Sequence, residues 1–298
     1  MRSYAAVAAT LALCACTTPP PASQLPNAQA AIDRMRATTA CGNGVQADAK
    51  LDHFSSEGRI RTELLMIAER PARLRMDILV TGAGSVATLT TDGTRFEATD
   101  KRENRFLYGP ATACNIARIT RIPIPGFVLV TLLRGQAPVL KHDAPGLAPP
   151  TIAWSGSGYY VVRIPGNNDA VEDIHLAPRP DDWNKPYGEQ NLRVLDVTVS
   201  QKGVLLYHAE LDTHQSAPMS KEASVSAEDA LLGMKPLPPS GPMCTAEIPR
   251  RIHVEMPNVG ADVLFRYEKV EWNPPLATGV FTQQPQPGLT PVEVQCSD

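Results

Sequence analysis

The sequence lacks an excess of charge of one sign. Its 28 Lys and Arg against 31 Asp and Glu leave a formal net charge of −3, with a pI near 6.1. That balance gives no basic stripe of the kind that tracks phosphates, so nucleic acid is excluded as a partner. It also lacks an apolar run that could span a bilayer, since residues 5–13 have only the length of a signal-peptide core. Metal and nucleophile motifs are missing too. No H-E-x-x-H occurs, and His53, His142, His175, His208, His214 and His253 are scattered with no i, i+4 helical pair. His208 and His253 fall on the polar side of strand-like segments, where solvated histidines are common. Gly82-Ala83-Gly84-Ser85-Val86-Ala87 has Ala87 in the third glycine position and leads into a strand, so it reads as a hairpin turn and not a phosphate loop. Ser155-Gly156-Ser157-Gly158 lacks the spacing of a nucleophile elbow. Nothing in the chain calls for catalysis, a metal or an organic cofactor.

What is present begins at the N-terminus. Met1-Arg2 supplies a positive charge, and Leu13-Cys14-Ala15-Cys16 has the form of a bacterial lipobox, with Cys16 as the acylated residue. Cys14 is a poorer acceptor because Leu13 precedes it, and an ordinary signal peptide cut near Ala15 is the competing reading. Residues 1–16 are thus a lipoprotein signal and 17–27, rich in Pro, Ser and Thr, a flexible tether. Several acyl chains on one cysteine anchor a protein durably, palmitate among the fatty acids that serve. Thr17, where an Asp would retain the protein at the inner membrane, points to the outer membrane, lipid-anchored and facing the periplasm. In that oxidising compartment Cys41, Cys114, Cys244 and Cys296 read as two disulfides with three pairings open. The pairing favoured is Cys41–Cys114 with Cys244–Cys296. No two of the four are spaced as a C-x-x-C ligand pair.

The 28 prolines and 20 glycines suggest many turns and short strands. A helix is expected over 28–39, then strands over 45–54 and 58–69, the latter with Ile60, Leu64, Met66 and Ala68 on one face. In 73–80, Leu74, Met76 and Ile78 alternate with Arg73, Arg75 and Asp77, the pattern of a half-buried antiparallel strand. Strands over 86–91, 95–99 and 104–108 continue a meander, with Asp92-Gly93 as a hairpin turn. Short helices are expected over 114–120 and 127–133 around Ile122-Pro123-Ile124-Pro125. Hairpins are expected at 151–154 with 159–164, at 192–200 with 204–211, and at 251–256 with 262–270. Residues 165–190 read as a loop with at most one strand near 174–176. Residues 217–242 read as a low-order insertion. One domain over 28–275 with a proline-rich tail over 276–298 completes the division.

Three blocks carry a family resemblance. Residues 73–90 hold an R-x-R strand, a glycine turn and a returning strand. Residues 119–135 hold Ile122-Pro123-Ile124-Pro125 and a helix ending in Leu-x-Gly. Residues 191–207 and 248–272 hold the closing hairpins, with Pro249 before a strand and Val270-Glu271-Trp272 at the end. In this order they resemble the lipoprotein-localisation factors LolA and LolB, LolB more closely.

The resemblance implies a mainly β fold with short helices: an unclosed, half-open antiparallel β-barrel with a helical lid over an apolar cavity. It implies binding of acyl chains, receipt of lipoproteins from a periplasmic LolA-like carrier, and their insertion without nucleotide hydrolysis. The cavity is expected to be lined by Leu64, Met66, Leu74, Met76, Ile78, Val86, Phe96, Ile122, Ile124, Phe127, Leu132, Val254, Met256, Phe265 and Tyr267. Methionine suits such a site because it adapts to varied shapes. In LolB a bulky apolar tip after the third strand meets the membrane; here the turn is Gly82, Ala83 and Gly84. That departure favours a second reading, a lipid-binding, sensing or scaffold lipoprotein of the same fold that does not sort lipoproteins.

Overall fold

The computed structural model describes residues 17–56, 58–80, 82, 84–219, 231 and 235–296. Cys16 and its leader, Thr81, Ala83, and most of the insertion at 220–234 lie outside the described residues.

Alternating side chains build a meander of long strands. They are β1 (Gly44–Ser55), β2 (Gly58–Glu69), β3 (Arg73–Val80), β4 (Gly84–Thr91), β5 (Arg95–Asp100) and β6 (Arg105–Pro110). After two helices come β7 (Thr151–Ser155), β8 (Tyr159–Pro165), β9 (Ala170–Pro178), β10 (Leu192–Gln201), β11 (Val204–Ala217), β12 (Ala246–Met256), β13 (Ala261–Trp272) and β14 (Thr290–Glu293). All fourteen join one sheet in the order β14-β6-β5-β4-β3-β2-β1-β13-β12-β11-β10-β9-β8-β7. The two ends of this order do not pair with each other, so the sheet is unclosed. Every pairing is antiparallel except β14 on β6. One face of the whole sheet feeds a single apolar core, with residues from β1 to β13 together in it, which requires the sheet to wrap around its contents.

Helix α1 (Ala28–Thr38) starts where the Asn27 side chain accepts the Ala30 N–H at 2.8 Å. It buries Ala28, Ala31, Ile32 and Met35 at helical spacing against β7, β8 and β10. Helix α2 (Ala113–Thr120) is capped by Thr112 and rests on β4 and β5. Helix α3 (Gly126–Leu133) rests on β2 and β3. The helices therefore fill the concave side.

Several expectations are revised. β9 runs nine residues where a loop with a three-residue strand was expected, because Glu172 takes an inward position beside Ile174 and Leu176 and breaks the apolar alternation. Ile60 is exposed, since β2 extends past the core at that end. The tail gains β14. The disulfides are Cys41–Cys244 and Cys114–Cys296, with Cα separations of 6.3 and 5.9 Å, not the pairing expected from the sequence. The cause is topological: β12 pairs with β13 and β13 with β1, which brings Cys244, just before β12, beside the end of α1, while β14 returns along β6 and brings Cys296 to α2. Residues 17–27, expected as a free tether, run against the sheet. The Thr18 N–H bonds to the Gly156 carbonyl at 2.8 Å, Trp154 Nε1 donates to the Thr18 carbonyl at 3.0 Å, and Leu25 is buried.

Candidate functional site

The chemistry of α3 singles out the concave face. Its sequence, Gly-Phe-Val-Leu-Val-Thr-Leu-Leu, is apolar almost all round, which suits a helix covered on several sides. Val128, Leu129, Val130, Leu132 and Leu133 are buried, whereas Phe127 is 51% exposed. A cleft of about 490 Å³ opens between α1 and α3, bounded by Met35, Arg36, Arg70, Phe127, Pro138 and Val139. A smaller one of about 120 Å³ lies on the other side of Phe127, against Ala72, Ile116 and Pro125. Phe127 thus stands between two openings at the rim of the core.

The lid is held unevenly. At its start Pro125 offers no side-chain cap. At its end the Tyr267 hydroxyl, from β13, donates to the Leu133 carbonyl at 2.8 Å. The next residue, Arg134, is buried and donates to the Gly42 carbonyl at 2.7 Å and to Gln136 Oε1 at 2.9 Å. Its guanidinium carbon sits 5.7 Å from the Trp272 ring centre. Burial, helped by the charge of Arg70, lowers the Arg134 pKa to about 9. A cation at a helix C-terminus also meets the negative end of the helix dipole. Before the lid, the Thr120 hydroxyl donates to the Ile116 carbonyl and accepts the Ile122 N–H, both at 3.1 Å, which braces the proline-rich link. Asn115 donates to the Pro110 carbonyl at 2.9 Å and, with Cys114–Cys296, fastens α2 to the sheet edge.

Among the fifteen residues expected to line a cavity, Leu64, Met66, Leu74, Met76, Phe96, Ile122, Ile124, Leu132, Val254, Met256, Phe265 and Tyr267 are buried in the one core, and Ile78 packs against it. Val86 is half-buried on β4 and Phe127 is at the rim. Of the pockets described, only the two beside Phe127 touch any of the fifteen. With α3 seated, the concave face is packed. Gly82 and Gly84 are exposed with φ of 81° and 70°, a left-handed conformation that glycine takes without strain.

Several buried ionisable groups, Arg134, Glu172, Asp52 and Asp182 among them, escaped the sequence reading. Arg134 was hidden in a Leu-x-Gly helix end, although a cation in that position is a known C-terminal signal. Glu172 is fully buried, with one oxygen accepting the Leu140 N–H at 2.8 Å and the other without a partner. Burial pushes its carboxyl up to about 8. On the outer face Asp52 is fully buried under Arg59, Arg61 and Arg266; burial works against its ionisation, but the three guanidiniums prevail and its pKa is lowered.

The geometry defines a class: a mainly β protein whose unclosed antiparallel sheet wraps an apolar interior under a helical lid. No family model matches the chain, and no curated protein matches it. Similar solved structures include a proposed outer membrane lipoprotein-sorting protein domain from Vibrio parahaemolyticus, at 7% identity, TM-score 0.46, over 86% of this chain and 97% of that one. A LolA superfamily protein from Nitrosomonas europaea is similar at 10% identity and TM-score 0.46, over 86% and 98%. A DUF1329 family protein from Desulfovibrio piger is similar at 8% identity and TM-score 0.49, over 85% and 96%. Likenesses at this level decide nothing about ligand or activity.

Proposed function

We propose that this chain is an envelope lipoprotein that takes acyl chains beneath α3 and, like LolB, receives lipoproteins and inserts them into the outer membrane. The carrying observation is α3 itself: a short apolar helix, with Phe127 exposed between two clefts, lying over a methionine-containing interior. An acyl chain that displaced α3 would exchange one apolar covering for another, so burial changes little and relative affinity can drive transfer without nucleotide. Thr18 is fixed at the β7–β8 turn, so a lipid on Cys16, two residues earlier, places the bilayer near that end. No described helix is long and apolar enough to cross a membrane. A periplasmic LolA-like carrier is the expected donor.

The second reading, a lipid-binding or scaffold lipoprotein that does not sort, draws on the turn at Gly82–Gly84, whose small residues remove little apolar area from water. Complementation separates the two. In cells depleted of their own receptor, the anchored protein should restore lipoprotein sorting. A folded, anchored protein that fails to do so would leave the second reading standing.

A further inference from the structure

The outer faces of β10 to β13 carry an arrangement that the acyl-chain reading does not use. Cross-strand register sets His208 opposite Glu255, Glu210 opposite His253, and Glu255 opposite Asp262. Their chain neighbours Val254 and Val263 point into the core, so this row points away from it. His253 Nε2 lies 2.7 Å from Asp262 Oδ1 and 3.8 Å from Glu255 Oε1. The ligand atoms of these three residues all lie within 4.8 Å of one another. His253 Nδ1 faces Glu210 Oε2 at 3.7 Å. Glu255 turns its second oxygen to His208 Nδ1 at 3.6 Å, and His208 Nε2 is hydrogen-bonded to Asp196. His175, ring-stacked on Tyr159, approaches the same Asp196 at 3.8 Å.

The charge balance of this row is unusual. Among the described residues, the carboxylates Asp196, Glu210, Glu255 and Asp262 form ion pairs with imidazoles alone. Elsewhere on the sheet, carboxylates such as Asp52, Asp77, Asp173 and Glu247 are met by arginine. The local negative charge is therefore left for a cation that imidazole can also ligate. We infer that the outer face of β12–β13 binds one zinc ion through His253 Nε2, a Glu255 oxygen and an Asp262 oxygen.

The dimensions suit that ion. Zinc bonds of about 2.0–2.2 Å in tetrahedral geometry hold neighbouring ligand atoms about 3.3–3.6 Å apart. The His253–Glu255 spacing is already close to this, and the His253–Asp262 hydrogen bond opens by less than an ångström when the proton gives way to metal. Glu210 then accepts the Nδ1–H of His253 and fixes the tautomer that offers Nε2, the usual outer support of a metal-bound histidine. Three protein ligands leave a fourth position to water or to His208 Nδ1. One imidazole with two carboxylates favours a first-row transition metal over magnesium or calcium, which prefer oxygen alone.

The test is zinc titration of the untagged mature protein in detergent, by calorimetry against a competing chelator. One zinc per chain is expected. His253→Gln and Glu255→Gln should each weaken binding about 100-fold, and Glu210→Gln, acting through His253, about 10-fold. On this partly covered outer face the changes should lower the zinc-free unfolding midpoint only modestly, while the rise in midpoint on adding zinc is lost in the first two. Failure to bind zinc stoichiometrically at about 100-fold excess, equal binding by His253→Gln, or a preference for calcium would each overturn the assignment.

Discussion

Tyr267→Phe tests whether α3 is a lid that must lift. The phenol is the hydrogen-bond donor that ties the end of α3 to the sheet, 2.8 Å from the Leu133 carbonyl. Removing the hydroxyl leaves that carbonyl unpaired in a buried site, at a cost of about 1–3 kcal/mol to the seated state. In the lifted state the carbonyl meets water in wild type and variant alike, so the whole cost falls on the closed form. A loss of 1–3 kcal/mol raises the lifted population about 5- to 150-fold, and apparent acyl affinity rises in proportion where the lifted form is the competent one. Urea unfolding should report the lost stability, and titration with a fluorescent fatty acid should report tighter binding. Stability that falls as expected while probe affinity stays unchanged would refute the lid as the access route.

Glu172→Gln should flatten a pH dependence. Raised to about 8 in the fold against 4.5 in the unfolded chain, Glu172 contributes fully below pH 4.5, and its contribution fades as pH rises through about 8. At about 1.4 kcal/mol per unit, several kcal/mol are at stake, so denaturant midpoints should fall from pH 5 to pH 8 much more in the wild type than in Glu172→Gln, where the shifted His208 and His214 still titrate. Phe127→Arg, at a half-covered position, should cost about 1 kcal/mol of stability and weaken fatty-acid uptake; equal uptake would move the access route elsewhere. Cys114→Ser with Cys296→Ser should free β14 from α2 and cost about 2–5 kcal/mol. Peptide mapping of the oxidised wild type should recover Cys41 with Cys244 and Cys114 with Cys296.

Much of the fold was legible because alternation is a local property. Leu74, Met76 and Ile78 against Arg73, Arg75 and Asp77 mark β3, and Ile252, Val254 and Met256 against His253 and Glu255 mark β12. The lid could be read from an apolar run framed by Ile122-Pro123-Ile124-Pro125. What stayed hidden depends on contacts distant in sequence. Thr290–Glu293 becomes a strand only because β6 offers it a free edge, and the disulfide pairing follows from that and from the β1–β13 pairing. Glu172 masked β9 because a carboxyl facing a core breaks the pattern that marks strands. The row His208, Glu210, His253, Glu255 and Asp262 read as ordinary polar positions, since its members come from three strands whose register no local pattern records.

The central claim is that the interior beneath α3 accepts acyl chains. Native mass spectrometry of the Cys16→Ala protein, purified without detergent from envelope extracts, tests it most directly, because no attached lipid confuses the mass. The account predicts bound species with fatty-acyl or lipoprotein-derived masses, reduced in Phe127→Arg. A protein that carries none, and that takes up none when incubated with lipid vesicles, would show a closed core and contradict the account.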